Sequence, residues 1–236
     1  MSAPFEALRG GLVVSVQAPD GSPLAGASHM AAMARAAEAG GAVGIRAQEV
    51  AAMKDAVTLP VIGLRKRRVE GSDLYITPEP ADARAIADAG ADIVAVDATL
   101  RPRPGGLSAA RFLRELVAEL GVPVLADVDS LEAGVAAREA GAAAVATTLA
   151  GYTTVRGGFA PAAAASGGPD LALVAALAAE LDCPVLAEGR IATADHARAA
   201  FEAGAFAVVV GTAITDPVAL TRAFAAASPR SLHAAR

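Results

Sequence analysis

The chain has 236 residues, of which 54% are hydrophobic and 19% are charged, and its formal net charge is −5. This composition is too apolar for a disordered protein, and it provides enough side chains for a large buried core. The acidic balance argues against a nucleic-acid-binding protein, because such proteins bind phosphates through clustered Lys and Arg. The only cysteine is Cys183, which excludes an internal disulfide and is typical of a reducing compartment. Because we find neither a secretory signal pattern nor a run of about 18 apolar residues, we expect a cytoplasmic protein that binds no membrane.

Short β-branched runs alternate along the chain with alanine-rich stretches of helical length. These runs predict eight strands, each continuously apolar, as in a parallel sheet that is buried on both faces. The predicted strands are 11–17, 42–46, 60–64, 92–97, 122–127, 143–148, 184–188 and 206–210. An acidic-Ala-Gly triplet precedes four runs, and its glycine is predicted at the C′ position of a helix, where φ is positive. A proline opens three other runs. The glycines are Gly40, Gly90, Gly141 and Gly204, and the prolines are Pro60, Pro123 and Pro184.

The spacing of these units predicts a barrel rather than an open sheet. Dividing 236 residues by eight gives about 29.5 residues per βα unit, which suits a (β/α)8 barrel. An open doubly wound sheet would need a glycine-rich turn after the first strand, and no GxGxxG pattern follows Gln17. We therefore predict one α/β domain over residues 1–236, a (β/α)8 TIM barrel of parallel strands with short flexible ends at about 1–9 and 227–236. The glycine-rich stretch 157–168 is predicted to be either a lid or a disordered spacer.

Polar residues directly after the strands are the candidate site residues, because the active site of this fold lies at the carboxyl ends of its strands. They are Gln17, Arg46, Lys66, Asp97, Asp127, Thr147, Thr148 and Glu188, with Gly211 after the last strand. The loops after the seventh and eighth strands are typical of phosphate sites, because exposed backbone amides bind phosphate oxygens. The candidate phosphate-binding residues in them are Gly189, Arg190, Gly211 and Thr212.

Several strand ends together resemble the N-acetylmannosamine-6-phosphate 2-epimerase family of sialic-acid catabolism. The matching stretches are 11–18, 41–47, 75–78, 97–99, 147–153, 187–191 and 210–215, so the resemblance covers most of the chain. It implies a (β/α)8 barrel that interconverts N-acetylmannosamine 6-phosphate and N-acetylglucosamine 6-phosphate. Two residues depart from the family pattern. Val16 stands in place of a cysteine, and Asp216 stands in place of an arginine that would be a candidate phosphate ligand.

By this resemblance, Lys66 and Glu188 are the catalytic pair, and Gln17, Arg46 and Asp127 contact the sugar. The chemistry favours the same pair independently. Inversion at C2 of an open-chain N-acylhexosamine needs a base on one face and a proton donor on the other. Lys66 follows the third predicted strand and Glu188 follows the seventh, so the two lie across the barrel mouth with room for a sugar between them. Further candidate substrate ligands are Tyr75, Asp97 and Thr148.

We expect neither a metal nor a cofactor, because the three histidines fall on predicted helices or in the tail. Mg²⁺ held by Asp97, Asp127 and Glu188 is a less favoured alternative, since a cation would oppose the charge of Lys66. Two other functions stay open: a lyase or aldolase in which Lys66 forms a Schiff base, and a barrel that binds a phosphosugar without turnover. The expected partner is a phosphorylated N-acylhexosamine. An exposed alanine-rich helix would also allow a homodimer.

Overall fold

A computed structural model describes residues 2–19, 21–153 and 167–228 of the chain. Eight parallel strands form a closed barrel in chain order, with the last strand pairing to the first. They are β1 (Leu12–Val16), β2 (Gly44–Ala47), β3 (Val61–Gly63), β4 (Ile93–Asp97), β5 (Val124–Asp127), β6 (Ala144–Ala146), β7 (Val185–Glu188) and β8 (Ala207–Val210). The predicted α/β barrel is confirmed, and each strand begins and ends within two residues of its predicted limits.

Helices connect consecutive strands and cover the outside of the barrel, and further helices precede the first strand and follow the last. They are α1 (Ala3–Glu6), α2 (Ala27–Ala39), α3 (Val50–Ala56), α4 (Pro80–Asp88), α5 (Ala109–Glu119), α6 (Leu131–Glu139), α7 (Leu171–Glu180), α8 (Ala194–Glu202), α9 (Thr212–Thr215) and α10 (Pro217–Ala226). Helices α5, α6, α7, α8 and α10 begin at a side chain that accepts a hydrogen bond from an amide of the first turn, at Ser108, Ser130, Asp170, Thr193 and Asp216. In the described ranges, we find no helix with the length and apolar character needed to cross a membrane.

Glycines end several helices as the triplets predict. Gly90, Gly141 and Gly204 follow the C-cap residue of their helices and have φ values of 91°, 99° and 98°. The prediction is wrong by one residue for Gly40, which is itself the C-cap and has a right-handed φ of −78°. The positive φ, 94°, falls on the next residue, Gly41, because this helix runs one residue further into its triplet.

Successive strand residues point alternately into the barrel and out towards the helices. Val13 packs in the interior cluster, whereas Val14 and Val16 pack in the outer cluster with helix residues. At the carboxyl end of each strand, the same alternation places one residue on the inside of the barrel mouth. These inward positions are Gln17, Arg46, Lys66, Asp97, Asp127, Thr148, Glu188 and Gly211. The fold therefore brings the predicted site residues to one mouth.

The opposite end of the barrel is filled by the segment before β1. Phe5 and Leu8 are 1% and 0% exposed and pack in the interior cluster with Val13. Leu8 fits there because Gly44 has no side chain, since a Cβ on Gly44 would lie 2.5 Å from the Leu8 Cδ2 atom. This arrangement differs from the flexible end predicted at 1–9. That prediction did not account for the burial of two large apolar side chains in the segment. Of the flexible end predicted at 227–236, residues 229–236 lie outside the described residues, and so do residues 157–166 of the lid or spacer predicted at 157–168.

Candidate active site

A buried ion pair forms the base of the barrel mouth. Arg46 of β2 and Asp127 of β5 are 1% and 0% exposed, and two hydrogen bonds join them. The Nη1 atom of Arg46 donates to Oδ1 of Asp127 at 2.9 Å, and Nη2 donates to Oδ2 at 2.6 Å. Burial alone would lower the pKa of Arg46, but the charges of Asp127 and Glu188 outweigh burial and raise it. Arg46 is therefore a permanent buried cation, held by a fork of two bonds.

Glu188, at the end of β7, is the second carboxylate in contact with this cation. Its Oε2 atom lies 3.1 Å from Nη1 of Arg46 and 3.1 Å from the hydroxyl of Thr148. The neighbouring Thr147 holds the backbone of Glu188, since its hydroxyl donates to the carbonyl at 2.9 Å and accepts from the amide at 3.0 Å. Burial and the nearby charge of Asp127 raise the pKa of Glu188, while Arg46 opposes that rise. Glu188 therefore keeps its proton to a higher pH than an ordinary glutamate.

Lys66 lies on the segment after β3, on the other side of the mouth. Its amide donates to the side-chain oxygen of Gln48 at 2.7 Å, which fixes its backbone. Water reaches the exposed side chain, yet protein atoms of the mouth partly desolvate its ammonium group. This desolvation and the charge of Arg46 lower the pKa of Lys66, while Glu188 and Asp127 oppose the decrease. A lysine in this position releases its proton at a lower pH than an ordinary lysine.

The segment between β3 and α4 folds back on itself over the mouth. Lys66 pairs with Ile76 in an antiparallel bridge, and the amide of Arg67 donates to the carbonyl of Tyr75 at 3.0 Å. Burial and the charge of Asp127 raise the pKa of Tyr75 to about 12. Tyr75 therefore keeps its phenolic proton at neutral pH, which is the form that can donate a hydrogen bond. The structure brings this predicted substrate ligand close to the charged groups of the mouth.

Gln17 lies just after β1 with an acceptor atom that is not used. Its Nε2 atom donates to the hydroxyl of Ser15 at 2.7 Å, whereas its buried Oε1 atom has no hydrogen-bond partner in the described part of the chain. The Nε atom of Arg46 is also buried and has no partner there. Buried polar atoms are seldom left without partners, so both atoms are suited to a bound ligand or water.

Asp97, at the end of β4, has contacts of a different kind. Its Oδ1 atom accepts from the amide and hydroxyl of Thr99 at 3.0 and 2.7 Å, and Oδ2 accepts from Arg101 at 2.6 Å. Burial raises the pKa of Asp97 despite the opposing charge of Arg101. Both oxygens are thus engaged in ordering the loop after β4. A contact between Asp97 and a substrate stays a prediction, and these bonds do not favour it. Arg101, four residues after Asp97, was not among the predicted site residues.

The loops after β7 and β8 present free backbone amides. In the described part of the chain, the amides of Gly189, Arg190, Thr212 and Ala213 donate to no acceptor. The backbone of Gly189 has a φ of 105°, which favours glycine, and Gly211 precedes the first turn of α9. Free amides after the carboxyl ends of two neighbouring strands are the kind of donor that binds phosphate oxygens. These free amides support the predicted phosphate ligands, which stay a prediction.

The side chain of Arg190 is engaged elsewhere. Its guanidinium donates to the carbonyls of Ala150 and Gly168, with the second bond at 3.0 Å, and lies 5.8 Å from the ring centre of Tyr152. Arg190 also has a positive φ of 54°, which is uncommon for a residue with a Cβ. Its cation therefore joins the segments that follow β6 and β7, and its role as a phosphate ligand stays a prediction.

Asp216, one of the two residues that depart from the family pattern, begins a helix. Its side chain accepts a hydrogen bond from the amide of Ala219 at 3.0 Å, so it is the N-cap of α10. The described residues contain no group of three or more His, Cys, Asp or Glu side chains arranged to hold a metal ion. The carboxylates of Asp127 and Asp97 accept hydrogen bonds from hydroxyl, amide and guanidinium groups, so both carboxylates are engaged within the protein.

A lysine with a lowered pKa and a glutamate with a raised pKa thus follow opposite strands of one barrel, above a shared buried arginine. Perturbed acid and base groups at the carboxyl ends of barrel strands are typical of enzymes. The fold and the arrangement of charged groups at its mouth are those of a (β/α)8-barrel enzyme.

Comparisons with known proteins identify the family. A family model described as "Putative N-acetylmannosamine-6-phosphate epimerase" matches residues 30–229. A Cutibacterium acnes relative named "Putative N-acetylmannosamine-6-phosphate 2-epimerase" is 49% identical over 219 residues, covering 91% of this chain and 92% of the relative. A relative of the same name from Synechococcus elongatus is 50% identical over 213 residues, covering 88% and 89%. The solved structure of the N-acetylmannosamine-6-phosphate 2-epimerase from Clostridium perfringens has a TM-score of 0.87 and 34% identity, covering 95% of this chain and 96% of that one. The chain belongs to the N-acetylmannosamine-6-phosphate epimerase family.

Proposed function

We propose that this protein is an N-acetylmannosamine-6-phosphate 2-epimerase, which interconverts N-acetylmannosamine 6-phosphate and N-acetylglucosamine 6-phosphate. Membership of the family and the names of its relatives support this substrate. The observation that carries the proposal is the placement of Lys66 and Glu188. They follow strands that are four apart in a barrel of eight, and both interact with Arg46 and Asp127. A sugar bound above that ion pair would have an amine on one side and a carboxyl group on the other.

The proposed chemistry is removal and return of the proton at C2. This proton is acidic only in the open-chain form, where C2 is adjacent to the C1 aldehyde. Neutral Lys66 removes the proton from one face, and the carboxylic acid of Glu188 donates its own proton to the other face. The step leaves Lys66 protonated and Glu188 ionised, which is the state that the reverse reaction needs. The lowered pKa of Lys66 and the raised pKa of Glu188 bring the two states closer in free energy.

The enolate formed between the two proton transfers carries negative charge on the C1 oxygen. Hydrogen-bond donors and positive charge at that oxygen stabilise it. Candidates are the phenol of Tyr75, which keeps its proton at neutral pH, and the ammonium group that Lys66 acquires in the first step. The unpartnered Oε1 atom of Gln17 is suited to accept a hydrogen bond from a sugar hydroxyl or from the N-acetyl amide.

For the phosphate group, we propose the loops after β7 and β8. The free amides of Gly189, Arg190, Thr212 and Ala213 are the donors that support this placement. The positive charge of Arg190 would add long-range attraction while its guanidinium stays bonded to backbone carbonyls. Because Asp216 caps α10 in place of the arginine expected there, the backbone amides carry more of the binding than in family members that have that cation.

The test follows C2 by proton NMR while the protein acts on N-acetylmannosamine 6-phosphate in deuterated water. We expect deuterium at C2 in both epimers. The proton held by Lys66 or Glu188 exchanges with solvent between turnovers, so the group that returns a proton to C2 delivers deuterium. A Lys66→Met variant is the control and should show neither product nor exchange. Product that forms while C2 keeps its original proton would contradict the mechanism.

The lowered pKa of Lys66 also favours a second candidate function, a lyase or aldolase that acts through a Schiff base. Treatment with borohydride during turnover would then trap a stable sugar adduct on Lys66. The epimerase proposal expects no such adduct.

A cytoplasmic location stays a prediction, and so does a homodimer. A dimer is supported by α10, none of whose residues is buried and whose Phe224 is 81% exposed. Sedimentation velocity would measure the mass in solution.

A further inference from the structure

The hydroxyl of Thr148 lies between two carboxylates and has a single proton to donate. Its Oγ1 atom is 2.6 Å from Oδ1 of Asp127 and 3.1 Å from Oε2 of Glu188. Both distances allow a hydrogen bond, and the shorter one indicates that the proton is on the Asp127 side. An ionised carboxylate can only accept, so the hydroxyl can satisfy one of these oxygens at a time.

The hydrogen bonds around Thr148 allow its hydroxyl to turn from one carboxylate to the other and back. Asp127 retains two hydrogen bonds from Arg46 if the Thr148 hydroxyl turns away from it. Glu188 depends more on the hydroxyl, because among the described residues its Oε2 atom has one other hydrogen-bond donor, Nη1 of Arg46, which Asp127 shares. In the described part of the chain, no hydrogen bond reaches Oε1 of Glu188, which leaves that atom for a bound substrate.

We propose that Thr148 is a positioning residue whose hydroxyl proton turns from Asp127 to Glu188 when Glu188 gives up its own proton. This inference rests on the proposed function, since it assigns Glu188 the proton transfer at C2. The proton of Glu188 passes to the substrate carbon, and no covalent bond of Thr148 changes. Rotation about one C–O bond supplies the new hydrogen bond, so the heavy atoms of the mouth do not have to move.

The charged and titratable groups that face Glu188 explain why a neutral donor has a distinct effect there. Arg46 comes from β2, Lys66 and Tyr75 from the segment after β3, and Asp127 from β5. Burial and Asp127 raise the pKa of Glu188, whereas Arg46, the Thr148 hydrogen bond and Lys66 lower it. Arg46 is committed to its fork with Asp127, and Lys66 changes charge during the reaction. Thr148 is a neutral donor already within hydrogen-bond distance of Glu188, so its bond can follow the charge of Glu188.

The test compares Thr148→Val and Thr148→Ala, which lack the hydroxyl, with Thr148→Ser, which keeps it. Both hydroxyl-free variants should lower kcat at least about tenfold, as expected when a charged acceptor loses a hydrogen bond, and should leave KM within about twofold. The acid limb of their kcat profile against pH should move to higher pH, because a bond that lowers the pKa of Glu188 is gone. Thr148→Ser should recover most of the lost kcat and return the limb towards its original position.

Thr153→Val is the matched control, because the Thr153 hydroxyl also donates to a carboxylate, Asp129 at 2.6 Å, and not to Glu188. This variant should change neither kcat nor the acid limb. Thermal unfolding and circular dichroism verify that each variant is folded. An unmoved acid limb in both hydroxyl-free variants, an effect confined to KM, or a failure of Thr148→Ser to recover activity overturns the inference. Absence of epimerisation by the unsubstituted protein instead overturns the proposed function.

Discussion

Replacement of Asp127 by asparagine tests the buried ion pair at the base of the mouth. Asp127 is 0% exposed and accepts two hydrogen bonds from Arg46 and one from Thr148. Removing one partner of a buried ion pair destabilises proteins by about 3–5 kcal/mol, because the other charge stays buried without compensation. Two features of this site place Asp127→Asn at the lower end of that range, at about 3 kcal/mol. The amide oxygen still accepts one bond, and Glu188 stays 3.1 Å from Arg46.

Equilibrium unfolding in urea, followed by circular dichroism, measures this loss of stability. Asp182→Asn is the matched control, because Asp182 also pairs with an arginine, Arg138 at 2.6 Å, but is 78% exposed. Exposed pairs contribute little, so the control should unfold close to the original protein. A loss below about 1 kcal/mol for Asp127→Asn would refute the reasoning that burial makes the Arg46 pair costly to break. Equal losses in the two variants would refute it as well.

Two further predictions concern the charged groups of the mouth, and a third concerns the packing of β3 against the helices. Lys66→Arg should lower turnover by at least about a hundredfold in an epimerisation assay, because a guanidinium stays protonated and cannot act as the base; activity near the original level would exclude that role. The kcat/KM profile should be a bell whose acid limb lies above 4.5 and whose alkaline limb lies below 10.5, because the active pair holds one proton, burial raises the pKa of Glu188, and desolvation lowers that of Lys66; limbs outside this window would contradict the proposed pair. Gly63→Ala should cost about 1–3 kcal/mol in urea unfolding, because the new Cβ would lie 2.4 Å from Cγ2 of Ile86; unchanged stability would show that the helix layer moves freely.

The barrel could be predicted from sequence because its signals are local and repeated. Each strand is a short apolar run, and Gly90, Gly141 and Gly204 mark the helix ends by a backbone conformation that glycine adopts at little cost. The displacement from Gly40 to Gly41 shows the limit of such a signal, since two adjacent glycines leave the last helical residue undetermined. Burial of Phe5 was not predictable from its own segment, because it depends on space left inside the barrel by residues far along the chain.

The candidate site was predictable in position but not in its bonds. Alternation along the strands is enough to place Arg46, Asp127 and Glu188 at one mouth, and the structure joins them directly. The sequence does not indicate which side chains already have partners. Asp97 looks equivalent to Asp127 in the sequence, yet Arg101 and Thr99 engage its oxygens. Pairing of that kind depends on how a loop folds back, and no periodicity encodes it.

The segment before β1 closes the lower end of the barrel with its own side chains. Phe5 and Leu8 pack against interior side chains of the strands, and the missing Cβ of Gly44 leaves the space that Leu8 occupies. Strand side chains fill the barrel between this end and the mouth, so a chain shortened to begin after residue 9 would gain no passage. It would instead expose the lowest apolar layer of the barrel to water, and the cost would be lost stability rather than altered access.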